Sequence, residues 1–361
     1  MIRSGINGFA KQARSRVELH VHLDGAVRPS TIWELAHTKG ITLPGANFEE
    51  FKQKINARGS GSLTKFLDAF NIFMPVILGD LQAIYRVAYE FCEDSANQGI
   101  AYVEARYSPH LLATTVPDSP WKVMGDVTPK MVVETVSKGL SQGEKDFNIK
   151  VRQILCCIRP FPDWSSEVVY LCQEFRSKGV VGIDLAGDES QPTHPDHKKA
   201  FQEAARLGIS RTVHAAEAGP ASNAKAAVYE LLAQRIGHGY HTVEDEAIYQ
   251  DLRARDIHFE VCLLSSQATG AVTLDWSKHP AIRFANDDLN FSLNTDDPTV
   301  IQNTLGDEYD VGFNKLHFSE RVLARTNFNA ARSCFLPRDE KDELLNHLKE
   351  QYGLQECCTR L

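Results

Sequence analysis

No segment of the chain approaches the roughly 18 consecutive apolar residues that cross a bilayer as a helix. The N-terminal stretch "MIRSGINGFAKQARSR" carries basic residues without an apolar core. Neither a membrane span nor a secretory leader is expected, and a cytoplasmic protein is. Positive charge is also scarce, with 39 Lys and Arg against 47 Asp and Glu and a formal charge of -8. A nucleic-acid surface needs a basic patch, so small-molecule chemistry is the better expectation. No Gly-rich GxGxxG follows an apolar run, which argues against a dinucleotide site. The eight cysteines show neither CxxC zinc spacing nor a disulfide framework, and reduced, buried thiols are expected.

What the chain does have is rhythm. Short β-branched runs alternate with amphipathic stretches over 361 residues. The expected strands are Val17 to Leu23, Ile100 to Tyr107, Lys150 to Ile158, Val180 to Leu185, Ser210 to Ala215, Arg235 to Tyr240, His258 to Leu264 and Asn290 to Thr295. Between them, "SSEVVYLCQEFRSKG" sets Val168, Val169, Leu171, Cys172 and Phe175 on one helical face, with Gly179 as a C-cap. "PDHKKAFQEAARLG", "NAKAAVYELLAQ" and "EDEAIYQDLRARD" repeat the pattern. Eight such units predict an α/β fold, a closed (β/α)8 TIM barrel. The interval from Gly25 to Gly99 is too long for one crossover, so extra helices are expected after the first strand. No linker, repeat or low-complexity segment divides the chain, and a single domain over 1–361 with its core at about 17–337 is expected. Within the first interval, Leu63, Phe66, Leu67 and Phe70 recur at helical spacing, on a helix that either packs on the barrel wall or covers its mouth.

The strand ends carry the chemistry. "VELHVHLDG" places His20 and His22 on the same side of a strand whose other residues are apolar. "TVHAAE" adds His214 and Glu217, "GHGYH" adds His238 and His241, and "LNTDDP" adds Asp296 and Asp297. Four polar strand ends are costly to bury without a shared purpose, and this fold gathers its catalytic groups at the C-terminal ends of strands. Three imidazoles and one carboxylate, His20, His22, His214 and Asp296, suit a single zinc ion. Adjacent strand residues point apart, so Asp296 is assigned to the metal and Asp297 to the substrate. Glu18 falls deeper on the His20 side, where a structural role beside a basic partner is expected.

These motifs, with "YVEARYSPHLLA", "IDLAGDE", "RIGHGYHTVEDE" and "NAARSCFLP", resemble the adenosine deaminase family of metal-dependent hydrolases, and they span Val17 to Pro337 in the family's order. The resemblance implies hydrolytic deamination of adenosine and 2'-deoxyadenosine to inosine and 2'-deoxyinosine, a purine salvage reaction that releases ammonia. It further implies that His238 orients or deprotonates the attacking water and that Glu217 protonates purine N1. Asp297 would meet N7, the Gly187 backbone N–H would meet N3, and Asp24 with His22 would hold the 5'-hydroxyl. Leu63, Phe66, Leu67 and Phe70 resemble the family's apolar gate, and His241 is expected to be structural or to support a neighbour of the metal.

Two positions depart from the family pattern. Ala216 stands where HAGE has glycine, and Leu263 follows Cys262 where proline is common. Both bear on rate and fit more than on reaction type. An AMP or N6-methyl-AMP deaminase is the nearest rival, and Asp24 opposes it because a carboxylate beside the 5' end repels phosphate. A non-catalytic adenosine binder is the other rival, and the presence of both Glu217 and His238 opposes it. The tail "ECCTRL" has the form of a carboxylate-capture peptide, although an unpartnered tail is the expectation.

Overall fold

The structure is a computed structural model that describes residues 15–190 and 192–353, together with the backbone but not the side chain of Leu63. The tail motif, with Cys357 and Cys358, lies outside the described residues. Eight parallel strands follow chain order: β1 (Arg16–His22), β2 (Ile100–Tyr107), β3 (Lys150–Ile158), β4 (Val180–Ala186), β5 (Ser210–Ala215), β6 (Arg235–His238), β7 (His258–Val261) and β8 (Phe291–Leu293). The sheet closes on itself where His22 N–H donates to Asp296 O at 2.8 Å and Asp296 N–H to His20 O at 3.1 Å. Asn294 Oδ1 reinforces the seam by accepting the Leu19 and His20 amides. This is the expected barrel.

The last three strands are shorter than their apolar runs imply. β6 stops at His238, because His238 and Gly239 both take left-handed φ values of 68° and 77°. β7 stops at Val261, and Leu263 begins a buried helix, Leu263–Thr269, instead of continuing the strand. A short apolar run does not distinguish a buried strand from a buried helical turn. β8 spans only Phe291–Leu293, since Asn294 to Asp297 turn to shape the barrel mouth.

Four helices fill the long first interval: α1 (Pro29–Lys39), α2 (Phe48–Lys54), α3 (Leu63–Ile77) and α4 (Leu81–Asn97). Asp80 caps α4 by accepting the Gln82 and Ala83 amides, and α4 packs on the barrel as an ordinary outer helix. α3 does not. It contacts the helix Leu263–Thr269 at the barrel mouth, and Trp121 Nε1 tethers it by donating to Asn71 Oδ1 at 3.1 Å. Of the two readings of this segment, the lid is the one observed. Among the described residues, no single helix is long and apolar enough to cross a membrane.

The apolar core lies between strands and helices, while the barrel interior is charged. Arg106, Arg235, Glu104, Asp184 and Glu260 are all essentially inaccessible to solvent there. Glu18 is also inside, a structural residue that accepts the backbone N–H and hydroxyl of Thr295 at 2.8 and 2.6 Å, with Arg16 as the basic side chain whose charge favours its ionised form.

Candidate active site

The mouth of the barrel encloses a cavity of about 350 Å³ with a polar floor and an apolar roof. His20 and His22 reach the floor from β1, His214 from β5, and Asp296 from the turn after β8; one ligand atom of each lies within 4.8 Å of all the others. His22 Nε2 and His214 Nε2 are 3.2 Å apart, and His20 Nε2 is 3.1 Å from Asp296 Oδ1. The far ring nitrogens are spoken for. His20 Nδ1 meets Glu260 Oε2 at 2.8 Å and His214 Nδ1 meets Asp184 Oδ2 at 2.9 Å. A carboxylate on Nδ1 fixes the proton there and turns the Nε2 lone pair inward, the usual support for a metal-bound histidine. Burial holds the His20 and His22 imidazoles below their ordinary range and therefore neutral. His20 Nε2, fully buried, has only the Asp296 carboxylate at 3.1 Å and no well-aligned hydrogen bond. Three inward lone pairs, one carboxylate and an orphaned nitrogen fit a bound cation. An overlapping set substitutes His238 and Cys262 for His22 and His214. It fits less well, because burial pushes the Cys262 thiol well above its ordinary range and keeps it protonated.

Asp296 is held for this task by Ser265, whose hydroxyl donates to Oδ2 at 2.6 Å. Ser265 was missed in the sequence because its helix was read as the end of a strand. Beneath the ligands, Arg106 joins their supports: Nη1 is 3.0 Å from Asp184 and Nη2 is 2.7 Å from Glu260. Arg235 completes the layer between Glu260 and Glu104.

Glu217 and His238 stand beside the ligands. His238 Nε2 is 3.7 Å from Glu217 Oε2 and 3.9 Å from Asp296 Oδ2, so the ring faces the space between acid and metal ligand. Glu217 Oε1 accepts from Thr269 Oγ1 at 3.2 Å, and burial raises its carboxyl above the usual range. Asp297 also lines the cavity, its buried Oδ1 without a hydrogen-bond partner. Burial, then the nearby Asp296, Asp24 and Glu217 carboxylates, push the Asp297 carboxyl well up. Asp24, also in the cavity wall, is pushed up by burial to about 6, against hydrogen bonds from backbone amides. It therefore remains largely ionised at neutral pH.

Gly187 lines the opposite wall with φ 99°, a conformation that favours glycine. Phe66, Leu67 and Phe70 of α3 form the roof. Leu63 opens that helix, and its side chain lies outside the described residues. His241 is on the surface, paired with Glu244 at 2.7 Å, and takes no part in the site. Ala216, His238 and Asp296 all adopt left-handed φ values of 55°, 68° and 68°. Each non-glycine residue in that region costs about 1–2 kcal/mol, and such strain collects where geometry is tightly specified.

Gly25 exposes how tight the packing is. A Cβ there would sit 1.7 Å from Asp297 Oδ1. Gly25→Ala is expected to displace Asp297 and lower kcat/KM for adenosine more than 100-fold while metal content holds. Steady-state kinetics with metal analysis check this, and a loss below tenfold contradicts the assignment of Asp297 to the substrate.

The adenosine deaminase family model matches residues 15–351. Adenosine deaminase of Danio rerio is 51% identical over 354 residues, covering 97% of this chain and 99% of the relative. That of Bos taurus is 50% identical, covering 94% and 95%. Among solved structures, an adenine deaminase from Arthrobacter aurescens superposes with a TM-score of 0.81 at 28% identity, covering 94% of this chain and 99% of that one. A zinc-bound amidohydrolase from Burkhoderia ambifaria superposes at 0.84 with 25% identity, covering 98% and 94%. An N6-mAMP deaminase from Arabidopsis superposes at 0.80 with 25% identity, covering 94% and 98%. Family model, near-complete alignment at about half identity and barrel geometry agree: the chain is a member of the adenosine deaminase family, a hydrolase whose cavity floor gathers residues able to hold a metal ion.

Proposed function

We propose that this protein hydrolyses adenosine and 2'-deoxyadenosine at C6, converting water and the 6-amino purine nucleoside to inosine or 2'-deoxyinosine and ammonia, with one zinc held by His20, His22, His214 and Asp296. The observation that carries the reading is the set of donors around the cavity. A purine ring presents N1, N3 and N7 as acceptors. To these are assigned the Glu217 carboxyl, whose acid form burial favours, the backbone N–H of Gly187, and the Asp297 carboxyl, which burial and its carboxylate neighbours push well up. An ionised aspartate could not donate to N7, so the carboxylates crowded around Asp297 give it the form this contact needs.

His20, His22, His214 and Asp296 would hold the zinc, which when bound would supply the Lewis acidity that makes water nucleophilic near neutral pH. His238 is placed to take the proton from water attacking C6, because its Nε2 faces both Glu217 and Asp296. Glu217 gives its proton to N1, which draws electron density from C6 and makes that carbon electrophilic. The proton taken up by His238 passes to the C6 amino group, which leaves as ammonia, and the C6 hydroxyl returns its proton to Glu217 as the 6-oxo group forms. Asp24, with His22 4.0 Å away, accepts the 5'-hydroxyl. Phe66, Phe70 and Met74 shut the ring from bulk water.

The ionised, buried Asp24 opposes a 5'-phosphate, which favours nucleoside over nucleotide despite the likeness to the N6-mAMP deaminase. Purified protein is expected to abolish the adenosine absorbance, to lose that activity on chelation and to regain it with zinc. AMP is expected to turn over at least 100-fold more slowly. Faster turnover of AMP than of adenosine, or full activity in metal-depleted protein, contradicts the reading.

A further inference from the structure

One buried carboxylate at the cavity wall has no task in this scheme. Glu189 is 6% exposed and lies two residues after Gly187 in the loop that follows β4. Its Oε1 accepts the backbone amides of Glu217, Ala218 and Gly219 at 2.6, 2.8 and 2.9 Å. Its Oε2 accepts the Ala216 amide at 2.8 Å and Asn223 Nδ2 at 3.0 Å. Four successive amides converge on one side chain, with Ala216 at φ 55°. A left-handed residue in such a run folds consecutive N–H groups into a concave nest for an anion. Here the chain supplies the anion itself. Burial pushes the Glu189 carboxyl up, but the Gly219 amide, Asn223 and the other donors outweigh it and hold it below its ordinary range, ionised.

The two loops need such a tie. β4 and β5 pair only through Gly182 with Ser210 and Ile183 with Arg211, so no ladder joins the strands at their C-terminal ends. Side chains do so instead: Asp184 to His214, Arg159 Nη2 to the His214 carbonyl at 2.7 Å, and Glu189 to the turn beyond. Only the last reaches Glu217, gripping the amide of Glu217 and those on both sides of it.

We propose that Glu189 is the positioning residue for Glu217: by pinning the amides of Ala216–Gly219 to the loop that carries Gly187, it sets the spacing between the N1 donor and the N3 donor across the purine. This rests on the roles given to Glu217 and Gly187 above.

Glu189→Gln keeps the volume and one acceptor but turns an –NH2 toward donors. The expected result is a fall in kcat of at least 30-fold with KM for adenosine within threefold and zinc content unchanged. The double variant Glu189→Gln with Asn223→Asp gives the new –NH2 an acceptor and is expected to recover at least fivefold of the lost kcat. A purely structural role would reduce folded, zinc-loaded protein and leave kcat per zinc-loaded chain within threefold of the parent, which overturns the proposal, as does a loss carried by KM. If Glu189→Gln does not fold, Asn223→Ala removes, from outside the cavity, the two Nδ2 bonds to Glu189, one to Oε2 and one to its backbone carbonyl, and an unchanged kcat there overturns it. Parent turnover is measured alongside. A parent inactive on adenosine sinks the functional reading, whereas an active parent with an unaffected Glu189→Gln sinks this inference alone.

Discussion

Arg106→Leu is expected to destabilise the folded protein by about 3–5 kcal/mol and to weaken metal binding about 10–100-fold. Arg106 is wholly buried between Asp184 and Glu260 and also donates to the Leu19 carbonyl at 2.6 Å. Burial alone would push the Glu260 carboxyl up, yet Arg106 and Arg235 outweigh it and hold the group well below its ordinary range. Removing one cation leaves buried carboxylates facing each other without their compensating charge, and that loss exceeds whatever the intact network contributes to stability. The damage also reaches the metal. Glu260 and Asp184 orient His20 and His214, so carboxylates that become protonated or turn away release two ligands from their inward pose. Denaturant unfolding at fixed zinc and competition with a chromophoric chelator measure the two effects. Arg106→Lys should fall between, since an ammonium restores the charge but not the planar fork that spans both carboxylates. A stability loss under 1 kcal/mol in Arg106→Leu would contradict the network.

That network shows where the sequence was legible and where it was not. His20 and His22 stood out because two imidazoles interrupt an apolar strand, and the strand period alone puts them on one face. Arg106, Asp184 and Glu260 interrupt β2, β4 and β7 in the same way, Arg106 with Glu104 two residues before it and the other two as the single carboxylate of their strands. A lone charge in a strand does not name its partner, and Arg106 and Glu260 are 154 positions apart. Their meeting follows from barrel closure, which no local pattern encodes. The helix Leu263–Thr269 was misread for a different reason: "CLLSS" is apolar enough for a strand, so Ser265 and Thr269, which touch Asp296 and Glu217, were not seen as site residues. Glu18 went to Thr295 because the turn after β8 offers an amide and a hydroxyl at that depth. Ala216 was legible as a departure from HAGE, but its cause was not. The position has φ 55°, where glycine is unstrained, and this chain tolerates a buried methyl there.

Glu217→Gln is expected to lower kcat about 10²–10⁴-fold while binding of inosine changes less than tenfold. Glutamine retains the size of the side chain and an N–H that can donate to N1, so the ligand contact survives. What it cannot do is give up the proton. The comparison therefore separates a hydrogen bond from acid catalysis at the same atom. The pH profile supplies a second reading. Burial disfavours the ionised form of Glu217, so its acid form persists to higher pH than that of an exposed glutamate, and activity falls as pH rises through the raised pKa. Asp297 must also be protonated, and burial together with its carboxylate neighbours holds it well above its ordinary value. Removing Glu217 should therefore abolish the first alkaline fall and leave the residual rate limited by the second, at higher pH. An alkaline limb that stays where it was in the parent would mean that Glu217 is not the group whose proton is lost, and the acid would have to be sought in His238, whose Nε2 lies 3.7 Å from Glu217 Oε2.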